Sequence, residues 1–303
     1  MFKFIKLFWH NSKSQRKTLF LANFVNFLLM AVILMLIFIP FQQLIQMASM
    51  SMMMGQGSIQ NIILTMVGFI VLTLIIFVFL IYPLFTGSIR TFYHAIHDHT
   101  PVKFTDIFKS FTDGRWLKAV KLGLFVTLCL VLMSAINTLV SMGLKSLLST
   151  LILSLRDFSL SNGTLQTFIL IGFVIISIIS SIIIWFVCVF VTNMTVAYVE
   201  EPKRPLKELI KLGWSGIRNK QKTFLPFFIG LLILNFILIL FALPILQLLS
   251  NLMSQLSLET LNIIKFITVI VYFLLRFFIY FFIIGTIVQY FVRRGQKQEK
   301  QVK

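Results

Sequence analysis

Acidic residues are scarce: nine Asp and Glu stand against 27 Lys and Arg, giving a net charge of +18 over 303 residues. Charged residues of both signs make up only 12% of the chain, against about 25% in an ordinary soluble domain. None of the carboxylates lies inside a long apolar run, which argues against a proton-driven carrier built on intramembrane Asp or Glu. Cysteine is nearly absent, and Cys129 and Cys188 both fall in apolar runs, so neither a disulfide framework nor a thiolate metal pair is implied. No Walker motif, nucleophile elbow or zinc-protease pattern occurs, so no cofactor is expected and the reading is of a protein without enzymatic chemistry. The basic excess does not point to nucleic acid, because Lys and Arg sit in short segments between apolar runs and no solvated stretch carries a basic groove.

What the chain has is apolar length. Hydrophobic residues make up 58% of it, with 34 Phe, and the mean hydropathy is +0.97. Runs of about 20 apolar residues match the roughly 30 Å of hydrocarbon in a bilayer at about 1.5 Å per residue. The pattern predicts six spans near 18–39, 61–84, 119–143, 167–192, 223–248 and 262–292. The first has an apolar run longer than the 7–15 residues or so of a signal-peptide core, so it is read as a span.

Of the 27 Lys and Arg, 23 lie in the N-terminal segment, in the connections between spans two and three and between four and five, or in the C-terminal tail. The opposite connections hold only Lys145 and Arg156. Positive charge stays on the cytoplasmic side, so both termini are predicted to be cytoplasmic.

The chain also repeats itself. Phe4–Thr18, "FIKLFWHNSKSQRKT", returns as Leu209–Thr223, "LIKLGWSGIRNKQKT", 205 residues on. The match continues from "IPFQQLI" to "LPILQLL", where Pro40 and Pro244 are each expected to end a span. A fainter copy begins at "DIFKSFTDGRWLKAVK", residues 106–121. The expected architecture is an all-α, six-helix transmembrane bundle, a single membrane domain of three parallel two-helix repeats, about 1–102, 103–205 and 206–303. Each repeat starts with a short interfacial helix, and because each crosses twice, all point the same way. Trp9, Trp116 and Trp214, with Lys6, Lys109 and Lys211, then form an anchoring collar at the headgroups. On the first such helix Phe4, Leu7 and Phe8 share a face.

Two clusters are candidates for chemistry. In "YHAIHDHT", residues 93–100, helical spacing would place His94, His97 and Asp98 on one face as a divalent-metal site. A solvated helix end is the competing reading, and no second Cys/His cluster completes a site. In the last span Lys265, Tyr272, Arg276 and Tyr280 form one polar stripe. A guanidinium near mid-span costs about 2.5–3.5 kcal/mol on insertion scales, so Arg276 is expected to face the bundle interior and to have a partner. That partner is either an amide, hydroxyl or carbonyl of the bundle, or a bound anion such as a lipid phosphate.

The stretch Pro83–Lys121, "PLFTGSIRTFYHAIHDHTPVKFTDIFKSFTDGRWLKAVK", has a Pro-Leu-x-x-Gly pattern at Pro83, Leu84 and Gly87, followed by Asp106-Ile107-Phe108. A later span ends in Tyr198, Glu200, Glu201 and Pro202. These features resemble the cytoplasmic connections of a Gram-positive family of multi-pass membrane proteins with a domain of unknown function. That family is similar to the membrane domain of some glycerophosphodiester phosphodiesterases. The resemblance implies a fold and a Gram-positive plasma membrane; without the soluble phosphodiesterase part it implies no catalysis. The functional expectation is a non-enzymatic lipid- or envelope-associated, sensing or scaffold role. Its partners would be anionic membrane lipids, and a membrane-protein partner or a second copy of the chain. The alternative is a transporter or flippase for an amphipathic or anionic substrate.

Overall fold

Length and hydropathy make the helices. In the computed structural model, which describes residues 1–53, 59–98, 100–112, 114–156, 162–218, 222–242 and 257–293, the regular elements are helical and no strand occurs among the described residues. In order they are α1 (Phe2–Asn11), α2 (Arg16–Met53), α3 (Ile59–Ile76), α4 (Tyr82–Tyr93), a 3-10 helix (Phe104–Phe111), α5 (Trp116–Arg156), α6 (Asn162–Glu200), α7 (Leu206–Ile217), α8 (Phe224–Leu240) and α9 (Leu258–Val292). A wide π turn, Phe77–Ile81, joins α3 to α4 without a break, and a second, His94–Asp98, follows α4.

Five helical stretches are long and apolar enough to cross a membrane, with windows of mean hydropathy 2.3 to 3.1. They correspond to predicted spans one to four and six. The fifth predicted span, 223–248, appears as α8, an apolar helix of 17 residues whose continuation after residue 242 lies outside the described residues.

The helices outrun the predicted spans. Pro40 does not end the first: α2 passes through it to Met53. A proline removes one backbone hydrogen bond, but in apolar surroundings the rest of the ladder has no water to turn to and holds. Pro244 lies outside the described residues. Nor does the second span end at residue 84. Pro83 has no N–H for the carbonyl of Phe79, four residues back, and the indole of Trp116 donates to that carbonyl instead at 3.4 Å. The π turn and this substitute donor let the helix continue, so residues 85–98, read as a connection, are helical.

Long helices such as α9 and α6 are packed toward one end and bare toward the other. In α9, residues 281, 283 and 285–291 are buried, whereas Ile263, Phe266, Val269 and Leu274 are exposed. In α6, residues 191–199 are buried without a gap, and Phe168, Ile171 and Phe173 are exposed.

The chain divides into two compact units. One comprises Met1–His10, Cys129–Met194 and Glu208–Lys303. Its core is aromatic: Phe227 stacks on Tyr290 with ring centroids 4.1 Å apart, and Phe4 meets both edge-on at 5.8 and 5.2 Å. Gly213 and Gly216 bring α7 against α6; a methyl group on Gly216 would stand 2.6 Å from the Asn193 amide nitrogen. The other unit comprises Asn11–Leu128 and Thr195–Lys207. There Ala22, Leu84 and Ile107 form a small core joined by Leu29, Met30, Ile33 and Phe111.

Candidate functional site

The short helices carry most of the predicted anchors. In the first unit, α1 turns Phe4 and Phe8 into the protein. Phe8 is fully buried, with its ring 5.7 Å from that of Phe281 and fitted against Gly285. The face at Phe4, Leu7 and Phe8 thus packs on α8 and α9 rather than on headgroups, because the aromatic core offers a close-packed partner that fluid lipid does not. Lys6 and Trp9 remain exposed on α1. On α7, Leu209 and Ile217 are buried while Lys211 and Trp214 are exposed. Trp214 meets Phe186 and Phe190 edge-on, so one side of its ring is held by the protein.

In the second unit the 3-10 helix is clamped onto α4. Gly87 lies directly under Ile107, with no room for even a methyl group, so the Pro-Leu-x-x-Gly and Asp-Ile-Phe stretches of the sequence meet here. Asp106, 3% exposed, accepts from the backbone N–H of Lys103 at 2.8 Å and pairs with the Lys109 ammonium at 2.5 Å. Burial pushes the Asp106 carboxyl up. The Lys109 hydrogen bond, the Lys103 N–H and the charges of Lys109 and His94 together outweigh burial and hold it below its ordinary value of 3.8, so it stays ionised at neutral pH. Lys109 is therefore engaged by protein. Ahead of the clamp, Gln15 donates to the Thr100 carbonyl at 2.7 Å and accepts from the Val102 N–H at 2.5 Å, bridging Pro101.

Beneath the clamp lies a buried polar group. Arg90, counted in the sequence as part of a connection, is 3% exposed on α4. Asn23 of α2 donates to Thr91 at 3.0 Å and to its own Leu19 carbonyl at 2.8 Å, and it accepts from Ser88. Asn26 donates to the Leu84 carbonyl at 2.9 Å, Tyr82 shares a hydrogen bond with Thr195 at 3.0 Å, and Tyr198 donates to the Arg115 carbonyl at 3.1 Å. These bonds tie α2, α4, α5 and α6 together by side chains that would be costly to leave unpaired in hydrocarbon. Sequence reasoning missed Arg90 because Pro83 was read as a terminus. The signal was the cluster of small polar residues Thr86, Ser88 and Thr91 around Arg90.

The histidine cluster, read either as a metal site or as a solvated helix end, lies just after α4. Among the described residues no group of three His, Cys, Asp or Glu is placed to hold a metal ion. His94 is half-buried, His97 is exposed and stacks on Tyr93 at 5.1 Å, and the Asp98 side chain lies outside the described residues. A wide turn covers His94–Asp98.

The α9 stripe is present, but it does not face inward. Arg276 is exposed, as is Lys265, while Tyr272 and Tyr280 are half-buried. The Arg276 Nε donates to the Tyr280 hydroxyl at 3.2 Å, and its guanidinium carbon lies 5.2 Å from that ring's centroid. Tyr280 in turn meets Trp185 of α6 edge-on at 5.8 Å. Two cavities among the described residues, of about 180 and 240 Å³, are lined by apolar and hydroxyl side chains and hold no ionisable group. No protein-family model, curated protein or solved structure matches the chain.

Proposed function

We propose that the chain is a six-span protein of a Gram-positive plasma membrane with both termini in the cytoplasm. It performs no catalysis and gathers anionic lipid, together with an envelope or membrane partner, at its basic face. One observation carries the lipid reading: α1 and α7 bury Phe4, Phe8, Leu209 and Ile217 in the protein and leave Lys6, Trp9, Lys211 and Trp214 exposed at the entry to α2 and α8. Each exposed Lys at a membrane surface favours anionic lipid by about 1 kcal/mol, and each indole suits the headgroup level. The alternation of Lys and Arg along the chain supports the orientation. A short helix stands before a pair of apolar helices at α1–α2–α3/α4, at the 3-10 helix–α5–α6 and at α7–α8–α9, an order that supports repeats near 1–102, 103–205 and 206–303.

The purified chain in nanodiscs of mixed lipid should retain phosphatidylglycerol over phosphatidylcholine in native mass spectrometry. Most of that excess should fall as salt rises, because the screening length shrinks from about 10 Å at 0.1 M to about 3 Å at 1 M. Lys6→Gln combined with Lys211→Gln should lower it several-fold. Equal retention of the two lipids at low salt would sink the lipid reading. Orientation is tested separately by cysteines placed at Ser14 and Ser149, both exposed, in a chain carrying Cys129→Ala and Cys188→Ala. A membrane-impermeant maleimide should label Ser14→Cys only in broken cells and Ser149→Cys in intact ones; the reverse pattern overturns it.

A further inference from the structure

We infer that Lys265 and Arg276 on α9 form a binding site for the phosphate of a phospholipid headgroup, drawn down into the bilayer from the outer leaflet. The inference rests on the orientation proposed above but not on the basic rim of α1 and α7, because it concerns the largely exposed stretch of α9 around Lys265 and Arg276.

That stretch presents Phe266, Val269, Ile270, Leu274 and Phe278 to its surroundings. In a membrane protein such a surface faces acyl chains, and Arg276 opens onto it. At about 1.5 Å per residue, Arg276 lies about 16 Å along the axis from Lys265 and about 25 Å from Arg293. With a hydrocarbon layer of about 30 Å inside a total thickness of about 40–45 Å, Lys265 and Arg293 reach the two headgroup regions and Arg276 is immersed.

An immersed guanidinium is best stabilised by an anion. The Tyr280 hydroxyl and ring are neutral and leave the charge uncompensated. No Asp or Glu occurs in any span, and the nearest along α9 is Glu259, 17 residues away. A second copy of the chain brings no carboxylate to this depth either. The abundant anion of a bilayer is the lipid phosphate, whose oxygens match the forked donors of arginine.

The placement of the stripe sets the direction of entry. At about 100° per residue, Lys265, Tyr272, Arg276 and Tyr280 fall within a sector of roughly 80°. Lys265 stands at the outer headgroup level and has an exposed side chain, so it meets the phosphate first. The polar stripe stops at Tyr280, whose ring meets Trp185 edge-on, and beyond it on the same face Ile283 and Ile287 are buried. A headgroup can therefore descend to Arg276 and go no further on this face: the arrangement holds a lipid and makes no route across the membrane.

The test uses the full chain in nanodiscs with phosphatidylglycerol, phosphatidylcholine or both. The wild type should keep one phospholipid that survives 1 M salt, because an ion pair in hydrocarbon escapes screening. Arg276→Gln should weaken that lipid at least ten-fold, Arg276→Lys should retain part of it, and Lys265→Gln should weaken it a few-fold. Glycerol phosphate and inorganic phosphate should not displace it. Lys6→Gln with Lys211→Gln should change only the salt-sensitive lipid, which keeps failure of the rim distinct from failure of this site. The inference is overturned if the wild type holds no salt-resistant lipid, if Arg276→Gln holds it equally well, if free phosphate displaces it, or if an acidic membrane protein occupies the stripe instead. Should Arg276→Gln not fold, the wild-type salt series and Lys265→Gln decide the question.

Discussion

Replacing Gly87 by alanine is expected to detach the 3-10 helix from α4. A β-carbon at this position overlaps the Ile107 carbonyl oxygen and would stand 2.6 Å from the carbonyl carbon. Both are backbone atoms and cannot rotate away, so the whole segment Phe104–Phe111 must move. Ile107 then leaves its contact with Ala22 and Leu84, and Asp106 leaves its buried position. Overpacking of this kind costs about 3 kcal/mol, enough to lower the melting temperature of the purified chain by several degrees. Hydrogen exchange should localise the change, with loss of protection over residues 102–111 while α9 keeps its own. Gly68 is the control, because it has open space around it and alanine there meets nothing. Unchanged exchange at 102–111 in Gly87→Ala would show that the docked helix does not depend on this contact.

Phe8→Ala is expected to have an effect of similar size at the other short helix. The ring is fully buried, packs edge-on against Phe281 and Phe282, and fills the space left by Gly285, whose added methyl would come within 2.5 Å of it. Truncating a ring in so close a fit loses contacts that lipid cannot restore, about 3–5 kcal/mol in core substitutions. The N-terminal segment should become sensitive to protease before the chain as a whole unfolds. Leu7→Ala, at a half-buried neighbour, should do much less. If the two variants behave alike, α1 is held by the membrane surface and not by the aromatic core.

These two sites show what a sequence discloses and where it falls silent. Apolar length, the Lys/Arg alternation and the Phe4/Phe8 spacing were all legible, because each depends on local pattern alone. The partner of the Phe4/Phe8 face was not: whether a stripe meets lipid or Tyr290 and Phe281 is decided by chain segments nearly 300 residues away. Proline misled for a related reason. Pro83 reads as a stop until one knows that Trp116 supplies a donor to the carbonyl it frees. That single error moved Arg90 out of a packed helix and into a loop. The α9 stripe could be read as a set of spacings, but its facing could not, since the side of α9 that meets α8 depends on which rings interlock. The His94–Asp98 stretch takes a wide turn, a local period that its residue spacing did not announce.

The bareness of one end of long helices such as α9 and α6 has a thermodynamic meaning. A soluble domain closes its core with its own side chains, so its folding equilibrium belongs to the chain. Here Phe266, Ile171 and their neighbours are exposed, and in a bilayer it is acyl chains that complete their packing. Hydrocarbon thickness and chain order therefore enter the conformational equilibrium as an extended ligand would, by linkage. A lipid mixture that fits the bare halves better stabilises this arrangement of helices over any other, and the bilayer acts as a variable in the protein's own equation of state.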